Sequence, residues 1–319
     1  MIKRSVIVLR NLDEFSDHLR GGAVTIGNFD GVHLGHARLI KRLRKMADEI
    51  SGPAVVFTFD PPPAWILRPD AAGQLLIWTQ RKVEILAELG ADVVVIYPTD
   101  RALLEHDAGE FFEHIIRNRL GARAIVEGPN FFFGHNRTGT VEVLRQLCAE
   151  TDVRLEVTPG IEVNGQMVSS SRIRRSLIEG HVDQARQMLG RPYRIRGTVV
   201  RGAGRGAKLG YPTANITRVD TLLPLDGIYA GRAWVDQVAH TAAISLGSNP
   251  TFAETILKVE AYLLDFQGDL YDSQLQIDFI ARLRETKRFD SVDALVEQMA
   301  LDVKATRSIV AQAENVKDL

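Results

Sequence analysis

Cysteine is nearly missing from this chain, neither charge is in excess, and apolar residues never run on without interruption. Cys148 is the only cysteine among 319 residues. An internal disulfide and a cysteine-cluster metal site are therefore excluded, and a reduced, cytoplasmic setting is expected. Lys and Arg number 39 against 40 Asp and Glu, so the chain lacks the basic field with which nucleic-acid binders collect phosphates, and nucleic acid is not an expected partner. No apolar stretch approaches the ~18 residues that a membrane span requires. Met1 to Arg20 is broken by Lys3, Arg4, Arg10, Asp13, Glu14 and Asp17, unlike the apolar core of a signal peptide, so no membrane association is expected. Internal repeats and low-complexity segments are absent too, and nothing in the sequence dictates an oligomeric state.

What is present has the length of two domains, each able to bury its own core. In the first half, short β-branched runs alternate with amphipathic stretches. Ala23 to Ile26, Ala54 to Phe59, Val93 to Tyr97, Ala124 to Glu127 and Val153 to Val157 read as strands. Helices are expected near 35–50, 79–89, 108–120 and 138–150, with Thr79 and Thr138 as N-caps and Gly90 and Gly121 as C-terminal stops. That alternation predicts an α/β domain with a doubly wound parallel sheet. One more amphipathic stretch, Ser170 to Leu189, ends at Gly190-Arg191-Pro192, where the pattern changes. Beyond it, Tyr193 to Val200, Gly227 to Val235, Thr241 to Leu246, Lys258 to Phe266 and Leu275 to Ile280 read as strands with no long helix between them. A small antiparallel barrel is expected, closed by a helix over about 291–313 that is capped by Asp290 or Ser291. The expected domains are 1–188 and 189–319.

Directly after the first of these strands comes Gly27-Asn28-Phe29-Asp30-Gly31-Val32-His33-Leu34-Gly35-His36, leading into a helix. A strand, a glycine-containing turn and a helix N-terminus present free backbone amides and a positive dipole end to an anion. His33 and His36 flank the small Gly35, so two imidazoles can approach a triphosphate together with the backbone. Paired donors there would stabilise the charge that an α-phosphate gains during nucleotidyl transfer. Either histidine alone would be read as ordinary; the pair at a strand-to-helix junction points to function. Ser169-Ser170-Ser171-Arg172 offers a second set of anion contacts, with solvated arginines the plainer reading for Arg174 and Arg175.

In the second half, Gly202, Gly204, Gly206 and Gly210 enclose Arg205 and Lys208 in a flexible basic loop able to wrap phosphates. It is no Walker loop, because it lacks the Gly-Lys-Ser/Thr ending and no helix is expected after it. Pro212-Thr213-Ala214-Asn215 follows. Phosphorylating an alcohol needs a group that accepts its proton, and Glu260, in an otherwise apolar strand, is the candidate. By pattern alone it would be a solvent-facing carboxylate.

The run from Gly27 to His36 resembles the signature of the bacterial FAD synthetases, the bifunctional riboflavin kinase/FMN adenylyltransferases, and the resemblance extends in order along essentially the whole chain. Glu127-Gly128-Pro129-Asn130-Phe131-Phe132-Phe133-Gly134 is similar to the family's second block. This implies that Asn130 lines the nucleotide and flavin site, with core packing an equal reading for each of the phenylalanines. Ser169 to Arg174 is similar to the third block, with Arg172 the phosphate contact. Pro212 to Asn215 resembles the PTAN motif of riboflavin kinases, implying that Thr213 and Asn215 help to hold Mg²⁺ and ATP phosphates. Glu260 falls at the position of the family's catalytic glutamate. Arg282 to Phe289 is similar to a block near the flavin, so Arg284 either positions flavin or pairs with a surface acid. One departure is Pro62, which stands in Asp60-Pro61-Pro62-Pro63 where the family usually has His and which has no side-chain donor. The resemblance implies ATP-dependent conversion of riboflavin to FMN and of FMN to FAD. A kinase with weakened adenylylation, or a flavin- or nucleotide-binding regulator without catalysis, are the alternatives.

Overall fold

The computed structural model describes residues 6–71, 73–247 and 258–314. By internal contacts the chain divides into two units, Met1–Gly73 with Trp78–Val168, and Gln74–Ile77 with Ser169–Leu319.

In the first unit six parallel strands form one sheet: β1 (Ile7–Leu9), β2 (Ala23–Ile26), β3 (Ala54–Phe59), β4 (Val93–Tyr97), β5 (Ala124–Glu127) and β6 (Arg154–Val157), in the order β1-β4-β3-β2-β5-β6. Every residue of β2 and β5 is buried, as near-continuous β-branched runs require when helices cover both faces. Val55, Val56, Phe57 and Val93 to Val95 have no exposed surface, each fully buried side chain contributing about 1.5–3 kcal/mol. The β1 edge strand is an addition to the expected sheet. Strand order reverses between β2 and β5, and in sheets of this kind ligands bind beyond the carboxyl ends of the strands at that point. A short hairpin, β7 (Glu162–Val163) with β8 (Gln166–Met167), follows the sheet.

Helices α1 (Leu34–Glu49), α2 (Thr79–Glu88), α3 (Phe111–Arg119) and α4 (Val141–Glu150) lie near their expected spans. The caps differ from expectation. Trp78 holds the cap position of α2, and the Thr79 hydroxyl donates instead to Asp60 Oδ2 at 2.7 Å. Thr140, not Thr138, accepts the N–H of Val143 at the start of α4. The expected helix over 108–120 is divided as well: Asp107 caps a short turn, Ala108–Glu110, and α3 continues with the wider π-type spacing. Gly90 and Gly121 follow α2 and α3 with φ of 112° and 58°, as helix stops should.

The second unit begins with α5 (Ser170–Ile178) and α6 (Val182–Leu189). These were expected as one amphipathic stretch, and Gly180, at φ 81°, separates them. The Leu177 carbonyl accepts the Leu225 N–H, tying α5 to this unit. Six antiparallel strands then close a barrel: β9 (Tyr193–Val200), β10 (Ala214–Thr217), β11 (Gly227–Val235), β12 (Val238–Gly247), β13 (Lys258–Leu263) and β14 (Gln274–Arg284), in the circular order β10-β13-β12-β11-β14-β9. Closure removes every edge. Strand β10 is the sixth and was not expected, since its first residues belong to Pro212-Thr213-Ala214-Asn215. On β13 burial alternates strictly: Val259 and Ala261 are buried, whereas Lys258, Glu260 and Tyr262 lie half-buried on the outer face. Helix α7 (Val292–Glu314) packs on β11, β12 and β14, and Ser291 Oγ accepts the Ala294 N–H at its start.

Candidate active sites

The first site is built at the carboxyl end of β2. The Gly27 N–H donates to the Phe57 carbonyl at 3.0 Å, and the Thr58 hydroxyl donates to the Asn28 carbonyl at 3.3 Å. The chain then turns sharply through Phe29 (φ 46°), Gly31 (φ 80°) and Val32 (φ 39°). Phe29 and Val32 are non-glycine residues in the left-handed region, a conformation that costs energy and clusters at functional turns. Both are buried in the core, which pins the turn. His33 caps α1, its Nδ1 accepting the His36 N–H at 3.3 Å, and the two imidazoles stack with centroids 3.7 Å apart. A Cβ at Gly35 would stand 3.1 Å from Cε1 and Nδ1 of His33, so only glycine leaves the stack undisturbed. The ring of Phe29 meets His36 edge-on.

Two charged side chains beneath this turn had no assigned role in the sequence. Lys82 of α2 is 4% exposed, its Nζ 3.4 Å from Thr58 Oγ1. Burial pushes its ammonium below the ordinary lysine range, while the charges of Asp30 and Asp60 pull it back up. Glu127, at the end of β5, is 2% exposed and accepts the Ile26 N–H at 2.7 Å. Burial raises its carboxyl well above the ordinary range, against the bonds from Ile26, Thr25 and Gly128. The one sequence signal for Glu127 was a charge ending an apolar strand. Pro62 is buried at the start of a short helix, Pro63–Leu67, and supplies no donor.

Asn130 is exposed in the turn after β5. Of the phenylalanines that follow, Phe133 is core, Phe131 stacks on it at 5.3 Å, and Phe132 is 44% exposed with the Arg137 guanidinium 4.3 Å above its ring. In the second unit Ser169 accepts the Arg172 N–H at 3.3 Å. This makes Ser169 the cap and Ser170 and Ser171 the first residues of α5, with Arg172 half-buried.

The second site lies on the outer wall of the barrel. Asn215 on β10 pairs directly with Glu260 on β13, and Glu260 with Ser245 on β12, so three polar side chains stand in a row across neighbouring strands on one face. All three line a cavity together with Gly206, Thr213 and Arg284. The glycine loop carries a short helical turn, Arg205–Lys208, not foreseen in the sequence. Gly202 lies against Asn215: a Cβ there would come within 2.6 Å of the Asn215 Cγ. Lys208 and Gly210 are exposed and are not among the residues that line the cavity. Helix α7 contributes Leu295, Met299 and Asp302. Arg284 is held by Asp302 through Nε at 3.0 Å and Nη2 at 2.6 Å, so the ion pair and the cavity-lining position coexist. Asp302, a buried acid set in the apolar stripe of α7, carries no local sequence signal. Thr213 also lines a second cavity with Pro212, Phe266 and Tyr271, and so stands between the two.

A parallel sheet with a turn bearing two stacked histidines at its switch point, followed by a barrel with a carboxylate and hydroxyl-lined cavity, is the architecture of a two-module nucleotide-using enzyme. The family described as FAD synthetase matches residues 15–172, and that described as riboflavin kinase matches residues 189–310. A bifunctional riboflavin kinase/FMN adenylyltransferase of Pseudomonas fluorescens is 34% identical over 95% of this chain and 98% of its own. The enzyme of that name from Haemophilus influenzae is 31% identical over 94% and 98%. A crystal structure from Streptococcus pneumoniae, described as a macrolide-efflux protein, superposes with a TM-score of 0.85 at 30% identity, covering 95% of this chain and 98% of that one. The chain belongs to the bifunctional riboflavin kinase/FMN adenylyltransferase family and is a transferase. Among the described residues no helix is long and apolar enough to cross a membrane.

Proposed function

We propose that the barrel cavity phosphorylates riboflavin to FMN and that the turn after β2 carries the adenylylation of FMN to FAD, each with ATP. The observation that carries this reading is the register pair Asn215 and Glu260, which sets a carboxylate beside polar oxygens on one cavity wall. Glu260 accepts the proton of the ribityl hydroxyl as its oxygen attacks the γ-phosphorus, and ADP departs. Thr213 and Asn215 offer the hard oxygen contacts that suit Mg²⁺, which when bound neutralises phosphate charge. The loop from Gly202 through Gly206 and Lys208 to Gly210 covers those phosphates, and Arg284 lies toward the flavin. Placing ATP in the recess beside Thr213 and riboflavin beside Glu260 puts the transferred group at Thr213, which lines both cavities.

In the first site the nucleophile is the phosphate of FMN, already anionic, so no base is required. An FMN oxygen attacks the α-phosphorus and pyrophosphate leaves. His33 and His36 act there as donors, with the backbone of Gly27, Asn28, Phe29, Asp30 and Gly35 shaping the turn. Ser170, Ser171 and Arg172 hold the departing phosphates, and Asn130 contacts the flavin. The functional modules are proposed as 1–188 and 189–319. The near-neutral charge and the single cysteine, Cys148, support a cytoplasmic enzyme without nucleic-acid partners.

The purified chain incubated with riboflavin, ATP and Mg²⁺, with the flavins separated by chromatography, should yield FMN first and FAD after it. Pro62 favours one rival, a kinase that adenylylates poorly, and that rival predicts FMN alone. Neither product would leave a flavin-binding protein without catalysis.

A further inference from the structure

The sheet comes apart at its switch point. Strands β2 and β5 pair at Ala23 with Ala124 and at Val24 with Ile125, and no further. Beyond that, β2 stays with β3 as far as Ile26 opposite Phe57, and β5 stays with β6 as far as Glu127 opposite Val157. The Ile26 N–H is thereby left without a carbonyl across the gap, at a residue only 4% exposed. Glu127 fills that role. Its Oε1 accepts the Ile26 N–H at 2.7 Å and lies 3.3 Å from the Thr25 hydroxyl, with Thr25 fully buried.

The two anchored residues have telling neighbours. Ile26 immediately precedes the turn that carries His33 and His36, and Glu127 immediately precedes the turn that carries Asn130. One side chain therefore spans the gap between the bases of both turns. We propose that Glu127 is a positioning residue for adenylyl transfer: its reach across the gap fixes how far the histidine turn stands from the flavin-side turn. The inference rests on the reading that this crevice is the adenylylation site. Each turn keeps its own shape without Glu127, since β3 holds one and β6 the other. What Glu127 sets is their separation, and reaction between two bound groups is steeply sensitive to a misplacement of about 1 Å.

Reach and charge can be separated on the full chain. Glu127→Gln keeps the length and an acceptor oxygen but loses the charge; Glu127→Asp keeps the charge and is one methylene short. FAD formation from FMN and ATP should keep its kcat within about threefold in Glu127→Gln and lose about tenfold or more in Glu127→Asp, with KM for FMN and ATP nearly unchanged in both. FMN formation from riboflavin, read in the same samples, should match the unaltered protein and so reports that the rest of the chain is folded. The reverse order of the two variants would make charge the requirement and overturn the proposal. Equal activity in both, or a rise in KM at constant kcat, would overturn it as well. His36→Ala, assayed alongside, separates the two levels: if FAD formation survives that change, the siting of adenylylation itself is wrong, whatever the Glu127 variants do.

Discussion

His33 and His36 hold their imidazoles 14° from parallel because the ring of the first accepts the backbone N–H of the second. The cap of α1 and the stacked pair proposed as phosphate donors are thus one object. Replacing His36 by Ala should lower FAD formation from FMN by about a hundredfold, the usual cost of one lost donor to a developing charge. FMN formation from riboflavin should stay unchanged. Glu260→Ala should give the opposite pattern when FMN is supplied, and product chromatography of both variants reads the difference.

Gly202 is expected to be intolerant of even a methyl group. Its missing side chain is the space that the Asn215 carboxamide occupies. Gly202→Ala should lower riboflavin kinase kcat/KM by about tenfold or more, as misplacement of a polar contact does, and leave adenylylation intact.

Asp302 ties the closing helix to the wall of the barrel cavity. Its carboxylate also accepts the Gln298 amide at 3.0 Å, and its side chain is 10% exposed against 20% for Arg284. Removing one partner of a buried pair strands the other charge and costs about 3 kcal/mol. Asp302→Ala should therefore lower the thermal midpoint of the barrel unit by several degrees in calorimetry and raise KM for riboflavin.

Glu127 also leaves a signature in the pH dependence of stability. Its folded carboxyl binds a proton more tightly than the unfolded one, so its contribution is full below the ordinary carboxylate range and is lost as pH rises through the raised folded value. Glutamine does not titrate. Glu127→Gln should gain in thermal midpoint relative to the unaltered chain on going from pH 5 to pH 8, and a constant difference between the two would contradict the assignment.

The parts that were legible in the sequence are those written locally. His33, Gly35 and His36 sit on one turn, Thr213 and Asn215 within one motif, and Glu260 two residues from the start of its strand. What stayed hidden depends on partners far along the chain. Glu127 matters because two strands part company 101 residues away in sequence, at Ile26, and no periodicity reports where a ladder ends. Lys82 looks like any helical lysine until the fold sets it under Asp30 and Asp60. Thr79 has the chemistry of a cap, yet Asp60, 19 residues earlier, takes its hydroxyl. Strand β10 was masked by Pro212 and Asn215, residues that ordinarily mark a turn, and it forms because β9 and β13 are there to receive it.

The alternation along β13 has a consequence for how this enzyme tolerates change. Val259 and Ala261 fill the barrel, whereas Lys258, Glu260 and Tyr262 line the cavity on its outer wall. Folding and chemistry are therefore interleaved residue by residue on a single strand. A scan of substitutions along it would oscillate with a period of two between losses of expression and losses of turnover. The chemistry of the outer face could then be rewritten by evolution, or by an engineer, without reopening the question of whether the barrel closes.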